Sequence, residues 1–217
     1  EVCRTDGTCQ PLPTFQATWV PAPTIDGDLS EYASLPSLTI GPSHVRVGWN
    51  SQALLLAFEV ADEDGAPAPP GEENTWDGDG VEVMLAVGAS RSDTADGDDF
   101  HLVVGLDGTV SDAQAWTDFG FSANATAQVA GPGADGHFRV ELQLPWAALG
   151  VEPVPGLKLG FDVAVNDRDG AGPTVSSDWA GLARFNAPSA WGTLTLLAAP
   201  TLDAGPEVQE PSGTDAE

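Results

Sequence analysis

The residues in this chain best placed to do chemistry sit in one run, residues 74–87, NTWDGDGVEVMLAV: a lone tryptophan in an acidic, glycine-loosened turn, followed directly by a stretch of period two. Val81, Val83, Leu85 and Val87 fall on one face of the expected strand, and Glu82, Met84 and Ala86 on the other. Glu82 is then a carboxylate turned away from one apolar layer, close in the chain to an aromatic ring that a loop can present. An aromatic plate beside a fixed carboxylate suits a sugar, whose C–H face stacks on the ring while its hydroxyls donate to the anionic oxygens. The plainer reading of the same residues is a tryptophan packed at the core edge and a solvated strand glutamate.

Other chemistry has little support. His44, His101 and His137 lie in separate strands or turns, with no zinc spacing and no nucleophile elbow. Paired carboxylates for glycoside hydrolysis can be drawn almost anywhere in so acidic a chain, so their presence carries no weight. Asn124-Ala125-Thr126 matches a glycosylation sequon, a motif too short to weigh.

The 217 residues carry 33 acidic and 7 basic side chains for a formal net charge of −26, and Lys158 is the only lysine. Such a field repels nucleic-acid phosphates and anionic lipid, so neither is an expected partner. Calcium takes hard oxygen ligands, but 33 carboxylates exceed what a few ions require, and most of the charge is expected to be a hydrated surface suited to a saline habitat. Apolar residues make up 41% of the chain, enough for a real core. No apolar run reaches the length of a membrane span. Cys3 and Cys9 enclose RTDGT, whose Asp6-Gly7 turn makes a disulfide easy to close, as expected for an exported protein. The opening at Glu1 points to a removed signal peptide or an excised fragment.

The elements that must position Trp76 and Glu82 read as strands. Residues 1–13 form the cysteine loop. Residues 14–197 form one domain. Alternation marks strands at residues 44–50, 100–106, 138–144 and 159–166, while residues 54–60 are apolar enough to be central. Residues 145–150, PWAALG, begin a short helical turn with proline at its first position. From residue 198 the chain is an acidic linker or disordered tail. Short strands at regular spacing with almost no helix predict an all-β fold, an antiparallel two-sheet, jelly-roll-like β-sandwich.

In order, TIDGDLSEY, VRVGWNSQALLLAFEVAD, NTWDGDGVEVML, DDFHLVVGLDG, GHFRVELQLPW, PGLKLGFDVAVNDRDG, SSDW and WGTLTL resemble the landmarks of the family 9 carbohydrate-binding modules, and more loosely the DOMON-like sandwiches. The resemblance implies a secreted, non-catalytic, monomeric module of a larger protein that clamps an oligosaccharide or polysaccharide end between two tryptophans. Here these would be Trp76 and Trp179, with Glu82, His101 and Asn166 taking hydroxyls. Where such modules carry arginine and asparagine, this chain has His101 and Val103, and valine cannot replace the lost hydrogen bonds. The resemblance also implies structural calcium and no organic cofactor. Asp62, Glu63 and Asp64, with Asp77 and Asp79, would form the calcium site, while the run from Asn166 to Asp169 fits an Asx-rich turn equally well. Two alternatives go with the fold: a surface or adhesion scaffold that has lost its ligand, and a haem-binding sandwich using Met84 and His101.

Overall fold

A computed structural model describes residues 2–3, 9–62, 64–69, 74–88, 91–113, 122–170 and 172–199. Glu63, the aromatic stretch at 114–121, the interior of the cysteine loop and the tail from residue 200 lie outside the described residues.

Among the described residues, fourteen strands and one α-helical turn, besides short 3-10 turns, follow in order: β1 (Val2–Cys3), β2 (Cys9–Gln10), β3 (Thr14–Trp19), β4 (Ser37–Ile40), β5 (Ser43–Trp49), β6 (Ala53–Ala61), β7 (Gly80–Ala86), β8 (Asp99–Gly105), β9 (Val110–Asp112), β10 (Thr126–Ala130), β11 (His137–Pro145), α1 (Trp146–Leu149), β12 (Lys158–Asp167), β13 (Val175–Asp178) and β14 (Gly192–Leu196). Alternation builds the core directly. Val45, Val47 and Trp49 of β5, Val81, Val83 and Leu85 of β7, Leu102 and Val104 of β8, and Phe161 and Val163 of β12 all turn into one buried cluster. Side chains of this size each stabilise by about 1.5–3 kcal/mol when removed from water.

Apart from Glu59 near its end, β6 is apolar because both its faces are covered. Leu54, Leu56, Phe58 and Val60 enter the main core, whereas Leu55 and Ala57 lie under Val20 and Tyr32 in a second cluster. That second layer is the segment 21–36, fastened at its turn by Glu141 of β11, which is 0% exposed. One oxygen of Glu141 accepts the backbone N–H groups of Asp26 at 2.8 Å and Gly27 at 2.9 Å. Gly27 has φ +87°, and a Cβ there would stand 2.8 Å from that of Ala130, so turn and strand meet only with glycine.

The sheet order corrects the expected pair of separate antiparallel sheets. Apart from the β1–β2 pair, strands join in one path, β10-β11-β6-β5-β3-β14-β12-β7-β8-β9, with β13 added on β12 and β4 on β5, so the sheet wraps almost into a barrel. β3 makes the junction: Thr14–Ala17 pair in parallel with β14, and Thr18 and Trp19 pair in parallel with β5. Trp19 meets Trp49 edge to face, ring centres 5.0 Å apart, at this crossing. The fold is therefore all-β but mixed, with one strand serving both layers. In the β1–β2 pair, Cys3 and Cys9 are register partners.

Candidate functional site

The outer face of β12, β7 and β8 carries the polar residues of these strands. Glu82 stands opposite Ala164 of β12 and Val103 of β8, with Met84 opposite His101 and Asn166 opposite Gly80. Asn166 and His101 thus flank Glu82 along one diagonal, within reach of a long side chain. Glu82 is 3% exposed. Its Oε1 accepts a hydrogen bond from Asn166 Nδ2 at 2.6 Å, its Oε2 is hydrogen-bonded to His101 Nε2, and Ser176 of β13 donates to Asn166 Oδ1. A buried carboxylate without such partners would be costly, so the chain Ser176, Asn166, Glu82, His101 is held as a unit.

Above this row opens a pocket of about 130 Å³ lined by Trp76, Glu82, His101, Ala113, Ser176 and Phe185. Trp76 lies in a 3-10 turn, Thr75–Asp77, tied down on three sides. Ser111 Oγ donates to Thr75 Oγ1 at 2.7 Å, Thr174 Oγ1 donates to the Asp77 carbonyl at 2.8 Å, and the backbone of Asp79 bonds that of Ala66 at 2.8 Å. A Cβ on Gly78 would come within 2.4 Å of the Ala68 nitrogen, so the turn passes the 66–68 segment at closest approach. Phe185 is stacked on His101, with ring centres 6.3 Å apart and planes 13° from parallel. Phe185 was not foreseen. It stands in an irregular loop, GLARFNAP, where no periodicity reports on facing.

Of the residues expected to hold sugar, Trp76, Glu82, His101 and Asn166 come together and Trp179 does not. Trp179 donates its backbone N–H to the Val163 carbonyl at 2.9 Å and so shares the core-facing side of Val163, opposite to that of Glu82. Its ring packs edge-on to Phe15 at 6.3 Å and against Phe161 at 5.8 Å. The anticipated pair of facing tryptophans is replaced at this pocket by Trp76 with Phe185.

Of the expected calcium ligands, Asp62, Asp64 and Asp79 bring carboxylate oxygens within 4.8 Å of one another, while Asp77 stands apart and accepts from Asn74 Nδ2 at 3.1 Å. Asp79 is already occupied by backbone donors, the N–H groups of Ala66 and Arg168, one to each oxygen. Burial first, and then the charges of Asp62 and Asp64, push its carboxyl up to about 6 against those hydrogen bonds. Asp62 likewise accepts from Asp64 N and Gly65 N at 3.0 and 2.9 Å.

The haem alternative does not fit the geometry. Met84 and His101 are directly opposed on adjacent strands, side by side rather than on two sides of a plane. Met84 is fully buried with Ala86, Ala164 and Trp191, and His101 Nε2 is engaged by Glu82.

The chain is similar in fold to solved structures of a family 9 carbohydrate-binding module from Caldicellulosiruptor kristjanssonii. One, in complex with glucose, has 19% identity and a TM-score of 0.72, covering 89% of this chain and 100% of that one. The other, in complex with cellotriose, has 19% identity and a TM-score of 0.72, covering 90% and 99%. A comparison with curated proteins gives no match. Residues 16–199 match the family model described as carbohydrate family 9 binding domain-like, and the chain belongs to that family.

Proposed function

We propose that this chain is a non-catalytic carbohydrate-binding module that takes a terminal sugar of an oligosaccharide or polysaccharide into the Trp76 pocket. The observation that carries the reading is Glu82, buried beneath an opening walled by Trp76 and Phe185, with His101 and Asn166 holding both of its oxygens. A pyranose would stack its C–H face on an aromatic wall. Its hydroxyls would donate to the remaining lone pairs of Glu82 and exchange bonds with Ser176 and Asn166. The family and the solved relatives in complex with glucose and cellotriose support glucose-type ligands. Export, a Cys3–Cys9 disulfide, a calcium ion at Asp62, Asp64 and Asp79 that steadies the Trp76 turn, and attachment to a larger chain complete the proposal.

Titration of tryptophan fluorescence and of heat with glucose, cellotriose, xylo- and manno-oligosaccharides tests it. Saturable binding of at least one series, abolished in Trp76→Ala, is the expected result. Absence of a signal with all of them would favour the second reading, a surface scaffold. The inward turn of Trp179 and the internal satisfaction of Glu82 are the observations on that side.

A further inference from the structure

The oxygens that Glu82 and Ser176 bring to the Trp76 pocket are left as acceptors. Asn166 Nδ2 donates to Glu82 Oε1 at 2.6 Å and His101 Nε2 donates to Oε2, so each carboxylate oxygen keeps a further lone pair. Ser176 gives its hydroxyl hydrogen to Asn166 Oδ1, and its oxygen can then only accept. Both side chains line the opening, which therefore offers three oxygens with lone pairs to spare. A hydroxyl of a neutral sugar brings one hydrogen to such a set. A protonated amine brings three hydrogens and no lone pair.

The charge on this floor has no permanent cation beside it. Among the described residues, no arginine or lysine lines the pocket or pairs with Glu82, whose ion-pair partner is His101. A neutral imidazole suffices for that bond, since one ring nitrogen carries a hydrogen in either state. The arginines are engaged elsewhere: Arg46 pairs with Glu59, Arg139 with Asp135, and Arg91 donates to the carbonyls of Trp191 and Leu159. Arg168 Nε donates to the Gly172 carbonyl at 3.0 Å. Arg184, next to Phe185 in the chain, is exposed and does not line the pocket. Residues 114–121, which follow Ala113 in the chain, include Asp118 and no basic residue.

The walls favour the same guest. Trp76 and Phe185 flank the opening, and an aromatic ring attracts a cation set over its face, tryptophan most strongly. Around the whole molecule the net charge of −26 draws cations toward the surface. We infer that the ligand favoured by this pocket is a cationic amino sugar, with a protonated amine where a neutral hexose has a hydroxyl. The amine would meet the oxygens of Glu82 and Ser176 through charge-assisted bonds while the ring stacks on an aromatic wall. An N-acetyl group in the same place fits less well. It is uncharged, keeps a single N–H, and sets a carbonyl oxygen near the Glu82 carboxylate. The inference rests on the sugar reading of the Trp76 pocket and names the class of sugar.

The test compares three disaccharides of one linkage: cellobiose, the glucosamine disaccharide, and the N-acetylated form of the latter. Each is titrated calorimetrically at about pH 7, where an amine of the α-amino kind keeps most of its proton. In wild type the glucosamine disaccharide is expected to bind about tenfold or more tighter than cellobiose, and the acetylated form weakest. Glu82→Gln, checked by circular dichroism, should lose more affinity for the amine than for cellobiose and so close the gap. Phe185→Leu, which removes a ring and leaves Glu82 in place, should narrow it. Equal or weaker binding of the amine in wild type would overturn the inference. So would a gap that persists in both variants, since the preference would then belong to the negative surface at large. Cellobiose binding without preference for the amine would leave the carbohydrate reading standing. Silence from all three would also overturn the inference, and the xylo- and manno-oligosaccharide titrations then decide whether the carbohydrate reading falls with it.

Discussion

In the proposed function the binding chemistry would turn on Glu82, whose carboxylate is buried and aimed by two neighbours, His101 and Asn166. Hydrogen bonds to a charged group contribute about 1.5–3 kcal/mol each. Glu82→Gln therefore lowers sugar affinity by roughly tenfold to a hundredfold in calorimetric titration while circular dichroism stays native. Asp162, on the same face, behaves differently. It accepts from Val163 N at 2.9 Å and Ala180 N at 3.1 Å, and burial, reinforced by the charge of Asp178, pushes it up to about 7. A carboxyl raised in the folded state stabilises most at low pH, and that contribution fades as pH rises from about 4 through about 7. Asp162→Asn should flatten the pH dependence of the thermal midpoint across that window and raise the midpoint at about pH 8. An unchanged profile would show that Asp162 does not titrate there. At this scale much was legible: alternation alone put Glu82, His101 and Asn166 on polar faces, since one slip would bury a charge in the core. Phe185 was not legible, because an isolated aromatic in an irregular loop gives no period from which to read its direction.

At the scale of elements, the short strand β13 decides which aromatic reaches the pocket. Its pairing sets Ser177 against Val165 and Asp178 against Ala164, so the residue after it follows Val163 into the core. A strand of four residues has too little pattern to show this in sequence, and it was the family resemblance, not the spacing, that implied an outward-facing Trp179. Trp179→Ala should accordingly cost about 3 kcal/mol in urea unfolding, toward the lower end for a tryptophan removed from packing. The segment 21–36 offers a second measurement. Glu141 holds its turn by two backbone N–H groups, so Glu141→Ala should destabilise by about 2–4 kcal/mol, with hydrogen exchange rising first at residues 25–32. Exchange confined to other segments would show that the turn is held by its apolar contacts instead.

Taken whole, the molecule is a mixed β fold under a strong negative field. The sequence order of strands was readable, but the parallel pairing of β3 with both β14 and β5 was not, because parallel contacts between distant segments leave no local turn signature. The charge of −26 has a global consequence: self-repulsion opposes folding wherever ions do not screen it. Raising sodium chloride from about 0.1 M to about 1 M shortens the screening length from about 10 Å to about 3 Å and should raise the thermal midpoint. A midpoint that falls with salt would mean that specific ion pairs, not repulsion, dominate.

The measurement that bears most directly on the account is a calorimetric titration of the best-binding sugar into Trp76→Ala and Trp179→Ala side by side. The geometry predicts that Trp76→Ala abolishes binding and that Trp179→Ala, though less stable, binds with wild-type affinity at a temperature where it is folded. Loss of binding in folded Trp179→Ala with retention in Trp76→Ala would contradict it.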